Sequence, residues 1–370
     1  MHDLADSAGR FHVPGDFLSA EPYGNGHIND TYAVLFNQSG TEVRYVFQRI
    51  NHEVFPDPGT LMENVERVCA HSQAKLREVG AADASRRSLS LIPTREGASW
   101  LVDDVNHWRC YPFIEKARTY EAVVSLNQAT AAARAFGGFQ EMLADLPGER
   151  LFEVIPAFHD TRDRFLKLVG AFERDACGRA ASVSEEMGFV RRREGEVGWI
   201  VDAVADGRIP ERITHNDTKL NNVMIDDATG EGICVIDLDT VMPGTVLNDF
   251  GDMVRTASNP EREDTRDLSG VRMRIDYFEA LARGYLEGAS GFLTGSEIEL
   301  LPLSGKLMSL ECGMRFLTDF LHGDVYFKTH REGHNLDRCR AQFKLVESIE
   351  EQMDEMKATV EGLAASHARS

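Results

Sequence analysis

Three residues near the middle of the chain have the types and spacing to move a phosphoryl group: Asp217, Asn222 and Asp237, carried in ITHNDTKLNNVMIDDATGEGICVIDLDT at 213–240. Phosphoryl transfer from ATP needs a carboxylate to take the proton of the attacking hydroxyl and hard oxygens to hold magnesium on the phosphates. Asp217 suits the first task, as catalytic base and as the residue that orients the acceptor. Asn222 follows it by five positions, the separation in the kinase catalytic loop H-R-D-x-x-x-x-N. Asn222 and Asp237 suit the second task, because Mg2+ favours oxygens from different segments and keeps several waters.

The elements that must position these residues are legible around them. Apolar 223–225, the turn-prone DDATGEG and apolar 233–236 read as a hairpin that brings Asp237 back beside the loop. Asp249 opens the triplet DFG, whose aspartate binds magnesium in protein kinases. It nevertheless starts a helical pattern, whereas Asp237 ends a strand, so Asp237 is the expected metal ligand. Asp239 reads equally as a second metal contact or a solvated turn residue.

Residues 1–115 read as a β-rich nucleotide-binding lobe. Segments 31–36 and 43–50 flank the turn NQSG as a hairpin, and 89–92, 99–102 and 107–113 complete a small sheet. Thr60 and Glu63 suggest a capping box for a helix ending at Gly80. In YGNGHIND, Gly24 and Gly26 would let backbone N–H groups approach phosphate oxygens, with His27 and Asn29 facing the cleft. The strand YVFQRIN has no lysine for the phosphates, so Arg49 is the expected cation and Gln48 the alternative on the opposite face. Glu63 or Glu66 would be its acidic partner. Backbone near Phe113, Ile114 and Glu115 would meet the adenine edge as the interlobe hinge.

Residues 116–370 read as mainly helical. Gly137-Gly138 in a long helix would admit a close neighbour, further helical tracts cover 158–178 and 184–206, and Thr294 with Glu297 forms a second capping box. The span 315–328 gathers Arg315, Thr318, Asp319, His322, Asp324, Tyr326 and Lys328.

HNDTKLNNVM with VIDLDTVMPGTVLNDFGDMVR resembles the N-acetylhexosamine 1-kinase family, within the aminoglycoside phosphotransferase and choline kinase superfamily. YGNGHINDTY, FQRIN, MRFLTDFLHGDVYFK and HNLDR extend the resemblance over nearly the whole chain. It implies an α+β, two-lobed protein-kinase-like fold, ATP with Mg2+, and phosphorylation of the C1 hydroxyl of a free N-acetylhexosamine. It also implies sugar contacts from Arg315 and Tyr326, and hydrogen bonds from Asp249 to catalytic-loop backbone. Two alternatives stay open: a kinase of the same fold acting on choline, homoserine or an aminoglycoside, and a nucleotide-binding pseudokinase module.

Composition sets the bounds. With 370 residues, 42% of them hydrophobic, the chain can bury a large core in two domains. A net charge of -20 opposes an extended nucleic-acid or anionic-membrane surface. The six cysteines lie singly, without zinc spacing, as expected of reduced thiols in a cytoplasmic protein. The acidic start lacks signal-peptide character. The expected partner is a small-molecule sugar.

Overall fold

Alternation along the first part of the chain builds a sheet. In the computed structural model, which describes residues 4–24 and 28–367, a short helix α1 (Leu4–Gly9) precedes strands β1 (Asp16–Pro22), β2 (Asp30–Gln38) and β3 (Thr41–Ile50). With β4 (Leu101–Asp103) and β5 (Asn106–Pro112) they form one antiparallel sheet in the order β1-β2-β3-β5-β4. One face carries Phe36, Phe47, Leu101 and Trp108, packed with Phe11. The opposite face carries Gln48 and Ile50, and Ile50 packs with the helix that follows.

That helix, α2 (Pro58–Glu78), starts earlier than the Thr60–Glu63 capping box suggests. Asp57 is its N-cap, accepting from Gly59 N at 3.1 Å and Thr60 N at 3.2 Å, with Pro58 in the first turn. A carboxylate at the cap followed by a residue of fixed φ outcompetes a hydroxyl three positions on. Two further differences concern the sheet: β1 at Asp16–Pro22 is an edge strand that the sequence reading did not include, and the expected strand 89–92 runs outside any strand, touching the sheet through Ile92 N to Cys110 O at 2.8 Å.

Beyond the short helix α3 (Ala84–Arg87) and strand β6 (Ala117–Arg118), the chain is mainly helical: α4 (Leu126–Leu143), α5 (Thr161–Arg174), α6 (Ser184–Arg191) and α7 (Trp199–Ala205). The single tract expected at 184–206 is thus two short helices. Strand β7 (Arg212–Thr214) leads into the hairpin of β8 (Val223–Asp226) and β9 (Gly232–Val235). β10 (Met242–Gly244) then returns to pair with β7. Helices α8 (Val246–Ala257), α9 (Ile275–Gly288), α10 (Gly295–Leu321), α11 (His334–Glu351) and α12 (Met353–His367) complete the fold.

The architecture is α+β and two-lobed, a small antiparallel sheet followed by a larger helical part. Helix α4 meets α9 at Gly137, where a Cβ would lie 2.7 Å from Tyr285 O, so the expected close approach is real and admits only glycine. The capping box at Thr294 and Glu297 is present in both halves. All six cysteines are free thiols, with Cys177 exposed. Among the described residues no helix is long and apolar enough to cross a membrane.

Candidate active site

The catalytic loop leaves β7 and is held by the backbone hydrogen bonds that a turn of irregular shape must find. Asn216 lies at φ 65°, a left-handed conformation that asparagine tolerates better than most residues. Asp249, in the first turn of α8, fixes it: Oδ2 accepts from His215 N at 2.8 Å and Oδ1 from Asn216 N at 2.7 Å. Gln140 of α4 also donates to Asp249, at 2.6 Å. Asp252 accepts from Thr218 N at 3.0 Å, and the hydroxyl of Thr240 donates to His215 O at 2.7 Å. Asp249 therefore has the backbone role expected of it, and burial pushes its carboxyl pKa up.

On this frame the structure brings Asp217, Asn222 and Asp237 together. Asn222 Nδ2 donates to Asp217 Oδ2 at 3.1 Å and to the Asp217 carbonyl at 2.8 Å. The β8–β9 hairpin forms as expected, and Ile236 N donates to Asn222 O at 2.9 Å, which places the next residue, Asp237, beside the loop. Asp237 itself is left-handed, at φ 60° and ψ 60°, and open to solvent. Lys219 Nζ lies 2.8 Å from Asp217 Oδ1.

The electrostatics of the two aspartates differ. Burial acts to raise the Asp217 pKa, but the Lys219 charge and hydrogen bond prevail and hold it below the usual carboxylate range. Asp237 has no ion-pair partner among the described residues, and its surroundings raise its pKa by more than the Arg109 charge lowers it. Although solvent reaches it, the surrounding protein and then the charges of Asp239 and Asp217 push its pKa up to about 6. Crowded carboxylate charge beside an amide oxygen is a donor set that a divalent ion relieves. Among the described residues no three His, Cys, Asp or Glu side chains form a closed metal cage. Mg2+ does not require one, since it usually takes one or two protein carboxylates and completes its shell with phosphates and water. Asn222 and Asp237 fit that requirement.

The sheet side of the cleft departs from expectation. Gly24 adopts φ 78°, a conformation that favours glycine, while Gly26 and His27 lie outside the described residues. Arg49 is bound to Asp30, with Nε to Oδ2 at 2.9 Å, and to Asn106 at 3.2 Å. That is the face shared with Trp108, opposite Gln48. The acids expected to partner Arg49 do not: Glu63 and Glu66 are exposed on α2.

Gln48 accepts from Arg109 Nε at 3.0 Å, and Arg109 in turn forms an ion pair with Asp239. Both charged groups are almost fully buried, at 1% and 4% exposure. Asp239 is thus no solvated turn residue, and its oxygens are engaged by Arg109 and by Asn29 Nδ2 at 2.5 Å. Sequence reading passed over Arg109, although an arginine between Trp108 and Cys110 in an apolar strand requires a buried partner.

At the hinge, Arg44 lies 3.8 Å over the Phe113 ring, and Glu115 pairs with Arg44 at 2.5 Å. Ile114 is buried against Met224, Ile233 and Cys234. Met224, two residues after Asn222, is an apolar candidate for the nucleotide-base floor that the sequence reading did not single out.

Across the catalytic loop, α10 presents a second group of polar residues. Glu311 accepts from the Thr161 hydroxyl at 2.6 Å and meets His159 Nδ1 at 2.8 Å, while His159 Nε2 meets Asn216 O at 3.0 Å. Both ring nitrogens face oxygen acceptors, so the imidazole is satisfied only with both protons. Burial opposes that charge, but Glu311 outweighs it and raises the His159 pKa. One turn further on, the Arg315 guanidinium stacks on Phe158 at 5.0 Å and Phe327 at 5.7 Å.

Tyr326 is exposed and packs edge-on against Phe327 at 4.8 Å, so Phe327 lies between the two expected sugar contacts. Asp319 is a loop anchor instead, accepting from Val325 N, Tyr326 N and Phe327 N at 2.8–3.0 Å. A separate cavity of about 890 Å³ between α7, α10 and α12 contains none of these residues.

A profile of the phosphotransferase enzyme family matches residues 19–290. Among solved structures, the chain is similar to the aminoglycoside phosphotransferase from Alicyclobacillus acidocaldarius, with TM-score 0.62 and 12% identity over 96% of each chain. A microcompartment-associated aminopropanol kinase gives TM-score 0.55 and 15% identity over 96% of this chain and 98% of that one. Choline kinase from Cryptosporidium parvum gives 0.53 and 13% over 93% and 92%. At these identities the likeness is one of fold.

Proposed function

The chain belongs to the phosphotransferase enzyme family, and on that premise we propose that it is an ATP-dependent kinase of free N-acetylhexosamines, forming the C1 phosphate of N-acetylglucosamine or N-acetylgalactosamine. Residues 1–115 form the nucleotide lobe, and residues 116–370 carry the catalytic loop and sugar site. The backbone at Gly24 would cover the triphosphate, and Phe113, Ile114 and Glu115 would border the adenine. Asn222 and Asp237 would hold Mg2+, which supplies charge neutralisation on the phosphates.

Asp217, kept ionised by Lys219, accepts the proton of the anomeric hydroxyl as that oxygen bonds to the γ-phosphorus and the bond to the departing ADP breaks. Lys219, rather than Arg49, is the cation standing beside the reacting groups.

The observation that favours a neutral sugar is Arg315. Stacked between two rings, it has no hydrogen-bond or ion-pair partner among the described residues, and it lies close enough to His159 to oppose that ring's charge. An unpartnered guanidinium repels choline or an aminoglycoside and offers donors to a hydroxyl or an acetamido carbonyl. Buried polar groups left unpaired by a missing substituent make rejection large.

ADP release measured over a panel of acceptors tests the reading. N-acetylglucosamine or N-acetylgalactosamine should be turned over, glucose and galactose more slowly, and the 1-O-methyl glycoside not at all. In phosphorus NMR the product should appear as a doublet from coupling to H1. A C6 ester, or preference for choline, homoserine or an aminoglycoside, would replace the substrate, and no ADP from any acceptor would leave a nucleotide-binding module.

A further inference from the structure

We propose that Asp239 is the centre of an interlobe latch, in which Arg109 is the fixed arm and Asn29 the releasable one, and that both are positioning residues for the nucleotide site. The proposal rests on the reading above only in placing the triphosphate between the sheet and the Asp237 turn.

Two separate segments of the small lobe reach this one carboxylate, and one of them is braced by a third. Arg109 comes from β5 and is steadied by Gln48 of β3, whose amide also donates to the Thr31 hydroxyl of β2 at 3.0 Å. Asn29 comes from the segment entering β2, and its Oδ1 accepts from Asn51 N at 3.0 Å, so the side chain is held at both ends. On the other side, Asp239 belongs to a single helical turn, Leu238–Thr240, that begins at the strained Asp237. That turn is bound to the catalytic loop by Thr240 to His215 O at 2.7 Å and by Asn216 Nδ2 to Thr240 O at 2.9 Å. Asn64 of α2 closes the arrangement with a 3.1 Å hydrogen bond to Val241 O.

The two arms differ in environment. Arg109 with Asp239 is buried, and separating them would leave an uncompensated charge in the interior, so that contact persists when the lobes move. Asn29 is only partly buried, and exchanging its hydrogen bond to Asp239 for water costs less than separating the buried ion pair. Making that bond seats the start of β2 two residues from Asp237. Lobe closure over the nucleotide and placement of the metal-bearing carboxylate are then one event.

The test uses Asn29→Ala and the double variant Arg109→Met/Asp239→Leu, because Arg109→Met alone would strand the Asp239 charge and leucine, unlike asparagine, leaves no acceptor for Asn29. A fluorescent ADP analogue without acceptor reports nucleotide binding, and hydrogen exchange of the nucleotide-free protein reports residues 28–32. Asn29→Ala should keep the wild-type melting temperature, weaken nucleotide binding about tenfold and speed exchange at 28–32. The double variant should melt near wild type and show the same two losses. Wild-type nucleotide affinity and exchange in Asn29→Ala would overturn the latch, as would their recovery together with stability in the double variant. Should the double variant fail to fold, Asn29→Ala decides alone. If the wild-type chain bound no nucleotide, the functional reading would fall, while exchange at 28–32 would still judge the latch.

Discussion

The two walls of the cleft are built in opposite ways. The catalytic wall, from His215 to Asp239, takes its chemistry from residues close in sequence, joined by the β8–β9 hairpin and held by the buried Asp249. The sheet wall takes its chemistry from strand register: Thr31, Gln48 and Arg109 form one row only because β2, β3 and β5 pair as they do. Local spacing survives small errors in reading a fold. Register does not, since a shift of one residue sends each side chain to the other face.

The largest effect should come from the catalytic wall. Asp217→Asn should leave the fold and nucleotide binding nearly intact while lowering turnover by a factor of about 10² to 10⁴, the usual contribution of a general base. Turnover above half of wild type would remove Asp217 from that role. Unfolding would make it part of the frame, like Asp249. For Asp249→Ala the expected loss is instead stability, about 2–4 kcal/mol in denaturant unfolding, because His215 N, Asn216 N and Gln140 all lose a buried charged acceptor.

These contrasts explain what the sequence made legible. Asp217, Asn222 and Asp237 come together as spacing and strand-or-helix context imply, which short-range patterns report well, whereas the backbone role of Asp249 came from family resemblance. Arg109 was missed because its significance lies in Asp239, 130 positions away, and no local pattern marks that pairing. Arg49 was assigned by residue type at the right strand, but the pleat turns it toward Asp30. The α2 start slipped because Asp57-Pro58 is a stronger start signal than Thr60. The Arg315 and Tyr326 assignments came from family resemblance, and stacking on Phe327 is tertiary information that spacing does not contain.

A smaller effect separates the two cations beside the site. Lys219→Met should lower turnover about tenfold. Because Lys219 is what outweighs burial at Asp217, its loss should also move the acid limb of the kcat/KM profile to higher pH. An unchanged acid limb would show that the ion pair is broken in the working enzyme.

His159 gives a pH dependence of known sign. Its folded pKa is raised above the unfolded value of about 6.5, so the folded state binds the proton more tightly. The stabilisation is therefore complete below about pH 6.5 and is lost as pH rises through the folded value, at no more than about 1.4 kcal/mol per pH unit. His159→Gln should flatten this part of the stability profile. A wild-type profile that rises over the same window would mean that the imidazole is buried neutral, with its pKa lowered rather than raised.

The smallest effect is expected from the residue first assigned to the phosphates. Arg49 and Asp30 form a part-exposed ion pair on the outer face of the sheet, and such pairs contribute about 0–1 kcal/mol. Arg49→Ala should accordingly leave the KM for ATP within about twofold, whereas the loss of a phosphate-bound guanidinium would raise it by about tenfold or more. The measurement bears directly on the two walls. A small change leaves the sheet wall acting through Arg109 and Asn29, with its cation buried and its contact to the nucleotide made by backbone. A large change would require Arg49 to leave Asp30 when nucleotide binds and reach around the strand edge. The sheet wall would then be assembled by ligand-driven rearrangement rather than by register. Asp30→Asn separates these outcomes further, since freeing Arg49 should tighten ATP binding only in the second case.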